Sequence, residues 1–271
     1  MRTSGAARDV DRTALVAYVL GLGDDALILA QRLAEWITRA PQIEEDIALG
    51  NIALDLLGQA RTLLSYAGQL EGSGRDEDDL AFLRDEREFR NLHLVEIENG
   101  DFAVTMARQL IFSAYQCELY SALLTSTDPT LSALAGKAVK EVDYHRDHAT
   151  QWVLRLGDGT PESHDRMQAA VNQVWPYVEE LFDTAEFNTA ESNAAESTNI
   201  VTALPGIAAN PAALRPAWTD YVENVVAAAT LTVPTPTWRS RGGRTGYHTE
   251  HLGHLLPTMQ NLHRSHPGAT W

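Results

Sequence analysis

The chain has little basic charge, a single cysteine and no long apolar run. Of its 271 residues, 21 are Lys or Arg and 37 are Asp or Glu, which gives a formal net charge of −16. Nucleic acids and anionic membranes are bound through basic faces, so we expect neither as a partner. No run approaches eighteen apolar residues, and the segment 1–12 lacks the apolar core of a signal peptide. Since Cys117 has no second cysteine to pair with, we predict a cytoplasmic location.

The common motifs of phosphate binding and nucleophilic catalysis are also missing. The sequence contains no Gly-x-Gly-x-x-Gly, no Gly-x-x-x-x-Gly-Lys and no Gly-x-Ser-x-Gly pattern. Cys117 follows an apolar stretch, which favours a packed thiol over a nucleophile. No Asn-Gly or Asp-Gly turn lies between alternating apolar runs, so β-hairpins are not indicated. The remaining pattern is helical.

Apolar residues at helical spacing predict long helices over 11–39, 43–70, 101–126 and 131–156. Gly21 and Gly23 are expected to break or kink the first, with Asp24 and Asp25 capping its second segment and Trp36 and Ile37 facing inward. Shorter helices are expected within 76–99 and over 160–182, 211–230 and 248–263. The segment 184–209, and above all 184–198, is rich in Ala, Asn, Thr and Glu and is predicted to be a loop.

Four helices of about 25 residues with a long crossover over 70–100 predict an all-α, ferritin-like four-helix bundle. We expect a single domain over 1–271. Its core bundle covers about 11–160, and additional C-terminal helices cover about 160–271.

The ligand pattern of a di-iron carboxylate bundle is degenerate. Such a site takes a Glu-x-x-His pair from each of two helices, because residues three apart share a helix face. None of the nine histidines has Glu or Asp three residues earlier. Val142 precedes His145, Gly58 follows Asp55, and Asp25 is the acid available on the first helix. We therefore predict no catalytic, cofactor-binding or metal-binding residue, and treat these five as degenerate ligand positions.

Three weaker patterns leave alternatives open. Glu141, His145 and His148 share a helix face and are the basis of an alternative hypothesis, a ferritin-like metal-dependent oxidase with an atypical site. A second histidine set near the C-terminus favours a polar helix face over a metal site; it comprises His248, His251 and His254. Arg108 lies in an apolar helix and is predicted to pair with a buried acid such as Asp55 or Asp143.

Seven segments spread over the chain resemble, in order, those of the PaaC-type subunits of the multicomponent phenylacetyl-CoA epoxidases. They are residues 22–29, 44–49, 54–61, 99–103, 140–145, 155–160 and 248–253. The resemblance implies a ferritin-like subunit that has lost its metal site and holds a related di-iron catalytic subunit in a heterodimer. It implies a reductase that supplies electrons to the complex, with the iron expected in the partner and no cofactor in this chain. The complex would be an oxygenase, with no catalytic metal in this subunit.

Overall fold

A computed structural model describes residues 3–184 and 199–269, with side chains from residue 12 onward. Within these ranges the chain is helical and has no strand. The four longest helices are α1 (Thr3–Ala34), α2 (Ile43–Glu71), α5 (Phe102–Leu123) and α6 (Pro129–Gly157). α1 packs along α2, α5 packs along α6, and α2 meets α6 to close the bundle. The predicted all-α, ferritin-like arrangement is confirmed.

The crossover between α2 and α5 carries two short helices, α3 (Glu77–Phe82) and α4 (His93–Glu96), as expected for 76–99. After the bundle come α7 (Pro161–Val174), α8 (Ile200–Ala203), α9 (Pro211–Ala228) and α10 (Glu250–Ser265). α7 and α9 pack on α5 and α6, whereas α10 packs on α3. The division into a core bundle and appended helices stays a prediction. The segment 185–198, most of the predicted loop, lies outside the described residues.

Aspartates define the starts of the second helix pair. Asp101 accepts a hydrogen bond from the Val104 backbone N–H, and Asp128 accepts from Thr130 and Leu131. Each carboxylate satisfies backbone donors that the first helical turn leaves free and complements the helix dipole. These caps fix the starts of α5 and α6 within two residues of their predicted positions.

The predicted break in α1 is wrong, because the helix continues through Gly21 and Gly23. A Cβ placed on Gly23 would lie 3.1 Å from the Leu64 side chain, so this glycine allows α2 to approach closely. Asp24 and Asp25 do not cap a helix; they are buried in its middle. α1 ends at Ala34, before the turn that precedes Pro41, and leaves Ile37 52% exposed.

The segment Arg12–Ala34 of α1 has the length and apolar composition of a membrane span. Most of it is covered by the protein itself, since 78% of its apolar window is buried. A central helix of a bundle has this composition because its neighbours cover it on several sides. The position of the helix accounts for its apolar character.

Large apolar side chains remain exposed on the face formed by α1 and α2, in contrast to the covered core. They are Ile37, Ile43, Ile47, Leu54 and Leu57, each at least 42% exposed. Ile37, Ile47, Leu54 and Leu57 line a groove of about 390 Å³ between the two helices. We call these five side chains the α1–α2 apolar face. Contiguous exposed apolar surface of this kind is typical of an interaction site.

Two glycines of α6 give a matched test of close packing. A Cβ on Gly157 would lie 2.4 Å from the Ala229 carbonyl oxygen, whereas one on Gly136 would meet no atom within 4 Å. We expect Gly157→Ala to lower the free energy of unfolding by about 1–3 kcal/mol through overpacking. Gly136→Ala should raise it by about 0.4–1 kcal/mol because alanine restricts the unfolded chain. Urea unfolding measures both, and equal effects of the two substitutions would contradict the packing.

Candidate functional site

Two of the five degenerate ligand positions meet in the bundle. The Nε2 atom of His145 on α6 lies 3.1 Å from Asp55 Oδ2 on α2. His145 is buried, whereas the Asp55 side chain is 38% exposed. Burial lowers the pKa of His145, and the bond to Asp55 only partly offsets this effect. A lowered pKa favours the neutral imidazole, so the pair is a hydrogen bond between two helices.

Protein groups occupy the neighbouring level of the bundle. Gln59 Nε2 donates to Glu141 Oε2 at 3.1 Å, and the Tyr120 hydroxyl donates to Gln59 Oε1 at 2.9 Å. Lys137 Nζ lies 3.2 Å from Glu141 Oε1 and 3.9 Å from the position of a Cβ on Gly58. The ammonium compensates the charge of Glu141, although the Lys137 side chain is 70% exposed and solvent weakens the interaction.

The other degenerate positions have no ligand character. Val142 is fully buried, and its carbonyl oxygen accepts a weak hydrogen bond from the Cys117 thiol at 3.4 Å. Asp25 bonds Arg244 at 2.6 Å, away from the Asp55–His145 pair. The structure thus joins Asp55 with His145 and directs Asp25 to a different partner.

The alternative site at Glu141, His145 and His148 does not form one cluster. Each of these side chains bonds a different residue of α2: Gln59, Asp55 and, at 2.8 Å, Glu45. Among the residues that the structure describes, the possible metal-ligating atoms of these three side chains do not all lie within 4.8 Å of one another. We call the three contacts the α2–α6 polar pairs. Their arrangement joins two helices and does not converge on a metal.

Arg108 is fully buried as expected, but its predicted partners are wrong. Its guanidinium donates to the Ile97 carbonyl at 2.8 Å and to Asn99 Oδ1 at 2.5 Å. Asp143 instead bonds Arg146 near the surface. Burial lowers the pKa of Arg108 to about 9, because its partners are neutral and desolvation is uncompensated. The arginine extends to the end of the crossover, where backbone and amide oxygens are the available acceptors.

The two aspartates in the middle of α1 bind segments far away in sequence. Asp24 accepts from the Arg84 guanidinium and, at 2.8 Å, from the Arg90 backbone N–H. Asp25 accepts from Arg244 and, at 2.8 Å, from the Leu92 N–H. Burial raises the pKa of Asp25 to about 6, although Arg244 acts in the opposite direction. These acids hold the crossover and the connector before α10 against the first helix.

The C-terminal histidines do not share one environment. His248 is bonded to Glu96 at 2.8 Å, whereas His251 is half-buried and His254 is exposed. Among the described residues, the group close enough to hold a metal consists of His93, Glu96 and His248. Of these three residues, only His248 belongs to the histidine set that helical spacing brings together near the C-terminus. Its partners lie about 150 residues earlier, and the sequence carries no signal that joins them.

A four-helix bundle with one long crossover, in which α2 and α6 are joined by polar side chains, defines a ferritin-like chain. The chain belongs to the phenylacetic acid catabolic protein family, whose model matches residues 1–271. It is similar to one of the subunits of the 1,2-phenylacetyl-CoA epoxidase of Escherichia coli (strain K12). The two are 49% identical over 257 residues, covering 95% of this chain and 99% of the relative. The chain is thus a phenylacetate catabolism protein related to an epoxidase subunit.

The Asp25–Arg244 pair generates a stability prediction. Arg244→Met leaves a buried carboxylate without its cation, which should cost about 3–5 kcal/mol of unfolding free energy. Adding Asp25→Asn should recover part of the loss, since the uncompensated charge is then removed. Urea unfolding of the two single variants and the double variant measures the coupling. Additive losses would contradict a direct interaction.

His145 generates a pH prediction. Its pKa is lowered from 6.5 in the folded chain, so the unfolded chain binds the proton first as the pH falls. The wild type should therefore lose stability relative to His145→Gln as the pH falls through 6.5. Unfolding free energies of both proteins at about pH 8 and pH 5.5 test this expectation. A wild-type advantage that grows at the lower pH would contradict it.

Proposed function

We propose that the chain is a non-catalytic structural subunit of a multicomponent phenylacetyl-CoA epoxidase, and that it holds a related di-iron catalytic subunit in a heterodimer. The observation that carries the proposal is the bundle interior. A di-iron site requires carboxylates and histidines that converge on the metal. In the α2–α6 polar pairs, each side chain instead bonds one partner on the facing helix. The catalytic iron and the contact with an electron-supplying reductase belong, in this proposal, to the rest of the complex.

The residues present do not fit a pair of irons. The Val142 side chain has no atom that can bind a metal, Gly58 has no side chain, and Lys137 places a positive charge beside Glu141. A di-iron site needs four carboxylates and two imidazoles. Of the five degenerate positions, Asp55 and His145 alone contact each other. The oxidase hypothesis is less well supported, since its three residues contact three different α2 side chains.

The surface supports a macromolecular partner independently of the interior. The α1–α2 apolar face leaves five large aliphatic side chains exposed and lines a groove. Burying such surface against another bundle contributes about 25 cal/mol per Å² of apolar area, from which the entropic costs of association are subtracted. The related chain is a subunit by name. We propose that the catalytic subunit covers this face, and that the assembly is cytoplasmic, with neither membrane nor nucleic acid as a partner.

Co-purification tests the partnership. The full chain, co-expressed with the metal-bearing bundle subunit of its own complex, should co-elute with it in a defined ratio. Leu54→Glu, which places a charge on the α1–α2 apolar face, should weaken the complex at least about tenfold, since about 1.4 kcal/mol corresponds to that factor. Leu262→Glu is the control, because Leu262 is similarly exposed on α10. Migration of the wild-type chain apart from the metal-bearing subunit would contradict the proposal.

Iron content tests the absence of a catalytic site. The purified chain should bind no stoichiometric iron. Val142→Glu should not create a di-iron site either, because α2 still has Gly58 at the position where such a site requires a histidine. Iron analysis after loading with Fe²⁺ measures both proteins. Two tightly bound irons in the wild type would overturn the structural role, and two in the variant alone would show that the remaining ligands suffice.

A further inference from the structure

A second group of histidine and carboxylate side chains lies outside the bundle interior. His93 and Glu96 stand one turn apart on α4, and His248 comes from the connector before α10. One donor atom from each lies within 4.8 Å of the other two. The side chains of Glu96 and His248 have no exposed area. Two imidazoles and a carboxylate are a ligand set that borderline transition ions such as Zn²⁺ prefer.

Backbone carbonyls orient both imidazoles. His248 Nε2 lies 3.0 Å from the Phe89 carbonyl oxygen, and His93 Nε2 lies 2.6 Å from that of Tyr247. A carbonyl oxygen only accepts, so each Nε2 carries the hydrogen. For His248 this leaves Nδ1 facing Glu96 Oε2 at 2.8 Å. For His93 it leaves Nδ1 facing the hydroxyl of Ser240, which a bound ion would displace from that nitrogen. Histidine ligands of metals are held in the same way, with the nitrogen away from the metal donating to a carbonyl or carboxylate.

Charge in this region favours a cation. Glu180 Oε1 lies 3.4 Å from His93 Nδ1, so a second carboxylate adjoins the group. The nearby arginines already have partners, since Arg244 bonds Asp25 and Arg84 bonds Asp24. Once the proton between His248 and Glu96 has left, two carboxylates beside two neutral imidazoles carry a charge of about −2, which one divalent ion balances.

Two residues that donate to Glu96 each carry a buried oxygen atom without a partner within the protein. Asn91 donates its amide hydrogen to Glu96 Oε2 at 2.8 Å, yet its own Oδ1 atom is buried and unbonded. The Thr249 N–H donates to Glu96 Oε1 at 2.6 Å, and its hydroxyl oxygen is also unbonded. Buried oxygens without a donor are uncommon in folded proteins. The Asn91 amide nitrogen is the atom that faces Glu96, so its Oδ1 would reach a cation there only after the amide turns over.

We propose that His93, Glu96 and His248 form a structural site for one divalent transition ion of the zinc class, with the unpaired Asn91 oxygen as a further donor. The ion takes the place of the proton between His248 and Glu96, and that proton is released to solvent. Bound there, it joins α4 to the connector before α10. The site is separate from the α2–α6 polar pairs and has no redox role, so it goes beyond the proposed function.

Zinc content tests the site. The full chain, purified without chelators from cells grown with added Zn²⁺, should contain one zinc per chain. Removing the zinc with a chelator should lower Tm by about 5–10 °C, the shift expected when ligand concentration is about a hundred times Kd. Co²⁺ added to the stripped protein should give the visible absorption of a tetrahedral site, and Zn²⁺ should abolish it.

Paired variants assign the zinc to these residues. His248→Gln and Glu96→Gln should each lose the zinc, whereas His254→Gln, at an exposed position on the neighbouring helix, should keep it. Zinc that persists in His248→Gln and Glu96→Gln would overturn the assignment. Wild-type protein without zinc, and without a Tm response to Zn²⁺, would overturn it even if the variants fail to fold. Co-purification with the catalytic subunit is measured separately, so failure of one proposal is distinguishable from failure of the other.

Discussion

Two adjacent carboxylates buried in the middle of α1 determine how the rest of the chain is arranged. Asp24 and Asp25 are desolvated, and a buried charge is tolerated only with a charged or hydrogen-bonding partner. Their partners are Arg84 in the crossover and Arg244 in the connector before α10. Because each arginine also donates to nearby backbone carbonyls, the crossover and the connector are positioned together. The positions of the crossover and the connector on the bundle therefore depend on Asp24 and Asp25.

Hydrogen bonds between polar side chains join α2 to α6 across the bundle interior. Iron would link α2 to α6 through coordinate bonds. In this chain Asp55–His145 and Gln59–Glu141 join the same helices through hydrogen bonds, with Glu45–His148 beyond them. Such hydrogen bonds contribute about 1 kcal/mol each. The buried side chain of Val142 adds hydrophobic stabilisation that a carboxylate ligand at this position would not supply.

The helices could be predicted from the sequence, because they depend on local spacing. Asp101 and Asp128 cap the helices they precede, and the valine before His145 is visible without a structure. The partners of Asp24, Asp25 and Arg108 could not be predicted, since they come from segments brought close only by folding. The same holds for the His248–Glu96 contact. The break expected at Gly21 and Gly23 is wrong, since the helix continues through both residues and Gly23 packs closely against Leu64.

The Asp25–Arg244 contact spans 219 residues, and this separation constrains how the chain reaches its final state. During synthesis α1 emerges long before the segment that neutralises its second carboxylate. An incomplete chain must keep that part of α1 hydrated, because closing the bundle around an unpaired charge is unfavourable. Loop closure over such a distance also places this contact among the slow steps of folding. The connector before α10 is thus needed to neutralise the second carboxylate of the first helix.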